Sequence, residues 1–117
     1  MLILSFNLRG FGGAPKLLAL KGLFSYVKLE GIFLQETMVE HLKAKDAFLK
    51  LCPSWSCVTV DSEGFSGGLL TGWNMMVGSF EASHTGFGIL LEGRVSCFTH
   101  LVTLLNCYGP YKDGGQF

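Results

Sequence analysis

The chain has 117 residues, nine basic and nine acidic side chains, and no net charge. That length bounds it to one domain, and a charged fraction of 15% with 49% apolar residues excludes an intrinsically disordered chain. Charge balance leaves no global positive field for nucleic acid, so such binding depends on a local patch. No apolar run approaches the roughly 20 residues that span a bilayer. The N-terminus lacks the cationic start of a secretory signal, and the expectation is an intracellular protein, nuclear or cytoplasmic, not secreted and without a membrane partner. The four cysteines, Cys52, Cys57, Cys97 and Cys107, form no zinc spacing and no Cys-x-x-Cys pair, which reads as reduced thiols.

In chain order, Leu2 to Phe6 is a buried strand. The turn Gly10-Phe-Gly-Gly-Ala-Pro15 follows, with Pro15 suited to a first helical turn. From Lys16, Leu17, Leu20, Phe24 and Val27 recur at helical spacing. Gly22 weakens that helix by roughly 1 kcal/mol relative to Ala. Gly31 ends it, and Ile32-Phe-Leu makes a second strand. A second helix runs from about Val39 to Leu51, with Leu42, Phe48 and Leu49 inward, and Pro53 closes it. Trp55 to Val60 and Leu69 to Trp73 flank a glycine-rich turn and form a hairpin. Further strands are expected around Met75 to Phe80, Gly86 to Glu92 and Val95 to Cys107, and a loop follows. Helices first and strands later describe an α/β domain with a mixed sheet.

Two segments carry the chemistry. Ile3-Leu-Ser-Phe-Asn-Leu-Arg-Gly10 delivers Asn7, and Gly31-Ile-Phe-Leu-Gln-Glu-Thr37 delivers Glu36. With a helix between them the unit reads strand, helix, parallel strand, so both side chains arrive at one sheet edge. A carboxylate at a strand end is a hard oxygen ligand suited to Mg²⁺, which takes one or two carboxylates and keeps several waters. Singly, each residue is ordinary, since exposed glutamates are common and asparagine often ends strands. The Gly10-x-Gly-Gly turn lacks the full dinucleotide and P-loop patterns and reads as a tight connection. His41, His84 and His100 stand in no catalytic spacing, and a solvated or hydrogen-bonded role is expected for each. Trp55 and Trp73 with the phenylalanines read as core, and Tyr108 as either a buried tyrosine or a hydroxyl offered to a phosphate.

These residues resemble a known family. Ile3 to Gly10 and Phe33-Leu-Gln-Glu-Thr37 are similar to the first two motifs of the endonuclease/exonuclease/phosphatase (DNase I-like) superfamily. That group includes apurinic endonucleases, DNase I-like nucleases and inositol phosphatases. The segments Val60 to Leu70, Trp73-Asn74 and Asn106-Cys-Tyr-Gly-Pro110 resemble the N-terminal endonuclease domain of plant LINE-type (non-LTR) retrotransposons. The resemblance implies a four-layer α/β/β/α sandwich, of which residues 1–117 are the N-terminal half, the first sheet with its helices. It implies Glu36 as the metal ligand, Asn7 and Tyr108 as catalytic residues, and Arg9 and Asn106 as substrate contacts, with Mg²⁺ as cofactor and DNA as partner.

The departures from that pattern are as informative. Phe6 stands where a tryptophan is usual. The Asp-x-Asn motif is missing, and no histidine follows an aspartate: His41, His84 and His100 follow Glu40, Ser83 and Thr99. Without half of a set that acts together, a Mg²⁺-dependent phosphodiester-cleaving domain is expected to be inactive alone. An absent second sheet would leave the inner face of the first uncovered, which suggests the alternative of a non-catalytic interaction module, binding a protein or itself through that face.

Overall fold

A computed structural model of the chain describes residues 2–10, 14–61, 68–86, 88–95 and 100–107; side chains at 14–18 and 25 are outside the description. The elements are β1 (Ile3–Asn7), α1 (Ala14–Tyr26), β2 (Gly31–Gln35), α2 (His41–Leu51), β3 (Trp55–Val60), β4 (Leu69–Asn74), β5 (Gly78–Thr85), β6 (Gly88–Val95) and β7 (Leu101–Cys107). Every expected helix and strand is present, with bounds shifted at several ends, but β1 is not the buried strand expected: it lies at the sheet margin, with Ser5, Phe6 and Asn7 exposed. Met75 and Met76 fall in the turn before β5 rather than in a strand, and both are exposed.

The first sheet has the order β1-β2-β4-β3. β1 and β2 are parallel, with Asn7 beside Gln35, and α1 is the crossover between them. β4 runs antiparallel to both β2 and β3. Alternation along the strands sorts the side chains to two faces. Ile32 and Leu34 of β2, Leu70 of β4, and Trp55 and Cys57 of β3 pack with Leu20, Ala44 and Phe48 into the helix-side core. Phe24, Phe48 and Trp55 meet there edge to face, with centroids 5.4 to 6.4 Å apart. Phe48 is fully buried, as expected, whereas Leu42 is 63% exposed. Leu42 lies six residues from Phe48 and therefore on another side of a helix of 3.6 residues per turn; Ala44, four residues from Phe48, takes the inward place.

Gly72 of β4 shows how closely the helix layer sits. A Cβ built there would lie 2.6 Å from Phe48 Cζ, so only the missing side chain lets the ring rest on the strand. Burial pushes the Cys52 and Cys57 thiols up to about 11, and both remain protonated at neutral pH.

A second sheet, β5-β6-β7, is antiparallel throughout. β7 packs over β2 and β4, and β6 over β4. Leu69, Thr71, Trp73, Ile89, Leu91, Val95 and Asn106 are buried, and Trp73 meets Phe80 at 5.9 Å between centroids. The expectation of an uncovered inner face is therefore corrected: β5 to β7 supply the cover across β2 and β4. The described residues make three layers, helices, first sheet and second sheet, a partial α/β/β/α arrangement with one layer more than the first sheet and helices that the resemblance implied. β1 lies at the margin, and a cavity of about 330 Å³ remains beside it, lined by Ser5, Asn7, Phe33, Gln35, Leu105, Asn106 and Cys107.

Two outcomes follow. Gly72→Ala forces Phe48 to shift and is expected to lower the unfolding free energy by about 1–3 kcal/mol, read from urea denaturation monitored by tryptophan fluorescence. In native protein treated with iodoacetamide near pH 8, peptide mapping is expected to find Cys107 modified, since it is exposed, and Cys52 and Cys57 protected.

Candidate functional site at the shared edge of β1 and β2

The parallel pairing of β1 and β2 ends at Asn7 and Gln35. Leu8 N–H continues it by donating to Gln35 O at 2.9 Å, and Gly10 N–H donates to Glu36 O at 2.8 Å. These bonds hold the two strand exits side by side. Asn7 Nδ2 then donates to Glu36 Oε2 across the exits, so the two side chains meet directly at the edge. Asn7 Oδ1 accepts from Arg9 N–H at 3.0 Å, an Asx-type turn that fixes the carboxamide's orientation. Asn7 is exposed and Glu36 partly buried, so the pair faces solvent from a braced position.

The backbone here departs from ordinary strand geometry. Arg9, Glu36 and Met38 have φ of 53°, 52° and 56°. The left-handed region costs a non-glycine residue roughly 1–2 kcal/mol, and such residues persist only where the surroundings over-determine them. Here the surroundings are the bonds at Gly10 and Leu8 and the bond from Thr37 N–H to Gly68 O at 3.3 Å. Thr37 itself is 1% exposed. Turning the chain into this region at Glu36, immediately after the last ladder residue, brings its carboxylate to Asn7 rather than leaving it on the strand's alternation.

Asn106 is placed otherwise than its expected role as a substrate contact. It is 1% exposed, and its carboxamide is fully engaged between the sheets. Nδ2 donates to Leu70 O at 3.0 Å and Thr71 Oγ1 at 3.1 Å, with Leu34 O at 3.4 Å. Oδ1 accepts from Gln35 Nε2 at 3.0 Å. Burial without water requires each polar end to find a partner, and the cross-sheet bonds meet that need. Gln35 Nε2 also lies 3.1 Å from Ser5 Oγ and 3.3 Å from Phe33 O. Gln35 was not singled out in the sequence; its signal was adjacency to Glu36 at a strand end. Arg9 is exposed, and its backbone serves the site by orienting Asn7. Tyr108 lies outside the described residues.

A separate polar pair stands farther along the same edge, where Val60 ends β3 opposite Leu69. Asp61 Oδ1 accepts from His41 N–H at 2.6 Å, and Asp61 Oδ2 lies 2.8 Å from His41 Nδ1. Thr59 Oγ1 donates to His41 O at 3.0 Å. Together with Glu40, whose side chain accepts from Leu42 N–H at 3.1 Å, Asp61 satisfies the first N–H groups of α2. His41 is thus the hydrogen-bonded structural histidine the sequence suggested, and the bond from its side chain holds the Asp61 carboxyl below the usual carboxylate range.

Metal fitness rests on Glu36. Its Oε2 is bonded to Asn7, and among the described residues no hydrogen bond is made to Oε1, which leaves one hard oxygen for a cation. The described residues contain no group of three or more His, Cys, Asp or Glu side chains able to hold a metal ion. That donor set fits a largely hydrated Mg²⁺ held by one carboxylate and does not fit a closed Zn²⁺ site.

No protein-family model matches the sequence, and no curated protein matches it. Solved structures do. The AP endonuclease from Leishmania major superposes with a TM-score of 0.59 at 21% identity, over 89% of this chain and 38% of that one. An AP endonuclease from Archaeoglobus fulgidus superposes with a TM-score of 0.53 at 20% identity, over 82% of this chain and 38% of that one. The chain has part of the DNase I-like fold. It spans well under half the length of the AP endonucleases it matches.

The Asp61 bond generates a pH dependence. A carboxyl whose folded pKa is depressed contributes stability above its unfolded value, near pH 4, and loses it as pH falls through the folded value. Thermal melts between pH 6 and pH 2 are therefore expected to show a fall in Tm that is shallower in Asp61→Asn, with the two proteins converging in acid.

Proposed function

We propose that this chain is the metal-carrying part of a phosphodiester-cleaving, endonuclease-like domain acting on DNA, and that it has no nuclease activity by itself. One observation carries the reading: Asn7 and Glu36 are hydrogen-bonded to one another at the joint exit of two parallel strands in a DNase I-like fold. The names of the superposed structures support DNA as the substrate class, because both are AP endonucleases. The segments that resemble LINE-type endonucleases support a retroelement origin.

Within this reading Glu36 holds the metal through its free oxygen, and Asn7 keeps the carboxylate turned toward the site. Mg²⁺, when bound, supplies stabilisation of charge on the phosphate and the leaving oxygen. Asn7 also brings an amide to the exposed edge where a phosphate arrives, with Arg9 beside it. Tyr108 is proposed as a phosphate contact. What the described residues lack is a base to activate water at this edge: the His41 Nδ1 atom is committed to Asp61 and Glu40, with N–O distances of 2.8 and 3.3 Å, at the start of α2. Positioning and charge stabilisation without a water-activating group leave most of the rate enhancement unrealised.

Two measurements test the proposal. Water-proton relaxation titration with Mn²⁺ is expected to show saturable binding by the wild-type chain and none by Glu36→Gln. Supercoiled plasmid with Mg²⁺ is expected to stay intact with either protein. Nicking that Glu36→Gln removes would overturn the claim of inactivity, and a chain that binds no Mn²⁺ would overturn the assignment of the metal edge.

A further inference from the structure

The two sheets pack mainly through apolar side chains, and among the described residues one polar chain crosses between them. It runs from Ser5 Oγ in β1 to Gln35 Nε2 in β2, then to Asn106 Oδ1 in β7, and from Asn106 Nδ2 back to Leu70 O and Thr71 Oγ1 in β4. Three strands of the first sheet are thereby tied to one strand of the second. Two members sit next to the candidate site in sequence: Gln35 precedes Glu36, and Ser5 lies two residues before Asn7 on the same face of β1.

We infer that Gln35 and Asn106 are positioning residues for the metal edge, acting through Glu36 and Asn7. The inference rests on the metal reading of that edge. Apolar packing between sheets is non-directional and tolerates small slides, whereas a buried amide chain has one arrangement in which every donor and acceptor is paired. Glu36 leaves the ladder in a left-handed conformation directly after Gln35. A shift of the β2 end therefore passes straight to its carboxylate. Gln35 meets that need from two sides, since its single Nε2 holds Ser5 and Asn106 at 3.1 and 3.0 Å. The neighbouring cavity of about 330 Å³ gives the β1 end room to move if the chain is cut. Groups hydrogen-bonded to a metal ligand, the place Asn7 holds beside Glu36, typically change metal affinity 10–100-fold when they are lost, and Gln35 and Asn106, one step farther out, fall at the lower end of that range.

The experiment uses the intact chain, Mn²⁺ as the probe, and thermal unfolding as a parallel readout. Gln35→Met keeps length and removes the hydrogen bonds to Ser5 Oγ, Phe33 O and Asn106 Oδ1, leaving Asn106 Oδ1 unpaired in a buried place. It is expected to weaken Mn²⁺ binding about tenfold. The comparison variant is Gly72→Ala, which lowers stability from the helix side of β4 and leaves the amide chain in place. Positioning predicts that Gln35→Met loses Mn²⁺ affinity whereas Gly72→Ala, at a comparable cost in Tm, keeps it. An equal loss of Mn²⁺ affinity in Gly72→Ala would assign the amides a structural role alone and overturn the inference. So would a folded Gln35→Met that binds Mn²⁺ as the wild type does; in that case the metal reading of Glu36 stands. Absence of Mn²⁺ binding by the wild type marks failure of the metal reading itself. If Gln35→Met does not fold, Ser5→Ala, which removes only the exposed end of the polar chain, carries the decision, and unchanged Mn²⁺ affinity in it overturns the inference.

Discussion

The parallel pairing of β1 with β2 is the constraint on which the candidate site depends. It is a crossover pairing, formed between segments separated by α1, and it places Asn7 and Gln35 at equivalent ladder positions. Once the ladder is in place, the residue after Gln35 must emerge beside Asn7. The left-handed turn at Glu36 then converts adjacency into a hydrogen bond. A slip of one residue would send Asn7 to the helix side of the sheet and separate the pair.

That register is secured from both faces. On the helix side Leu34 and Ile32 are buried with Phe48, and Gly72 lets the Phe48 ring lie against β4. On the other side β7 covers β2 and β4, and the Gln35 and Asn106 amides connect the layers. Apolar burial supplies most of the drive to stack the sheets, while the amides choose the alignment among the many that bury similar area. The cost of three left-handed non-glycine residues, Arg9, Glu36 and Met38, is concentrated just beyond the ends of β1 and β2, where the surrounding bonds hold the backbone. The His41–Asp61 pair does different work, joining the start of α2 to the end of β3.

Much of this was legible in the residues. The helical spacing of Leu20 and Phe24, the breakers at Gly31 and Pro53, and the alternation of Trp55 to Val60 located the elements. Asn7 and Glu36 stood out because each ended an apolar run. Two placements were not legible. Leu42 looked inward by composition, yet its six-residue spacing from Phe48 puts it on another side of α2, and only the packing of the helix shows that the Phe48 and Ala44 side is the one turned to the sheet. Asn106 looked like a substrate contact from its motif, yet a motif does not report burial, and the residue lies between two sheets.

Sequence by itself determined the element types and their order, because hydrophobic period, proline and glycine act over a few residues. It also determined the resemblance and the candidacy of Asn7 and Glu36, which rest on residue identity at strand ends. Tertiary structure alone decided that β5 to β7 form a second layer over the first, that Gln35 and Asn106 meet, and that Asp61 binds His41. Those contacts join residues 20 to 71 positions apart. They depend on how two sheets settle against one another, and no local pattern in the chain encodes that.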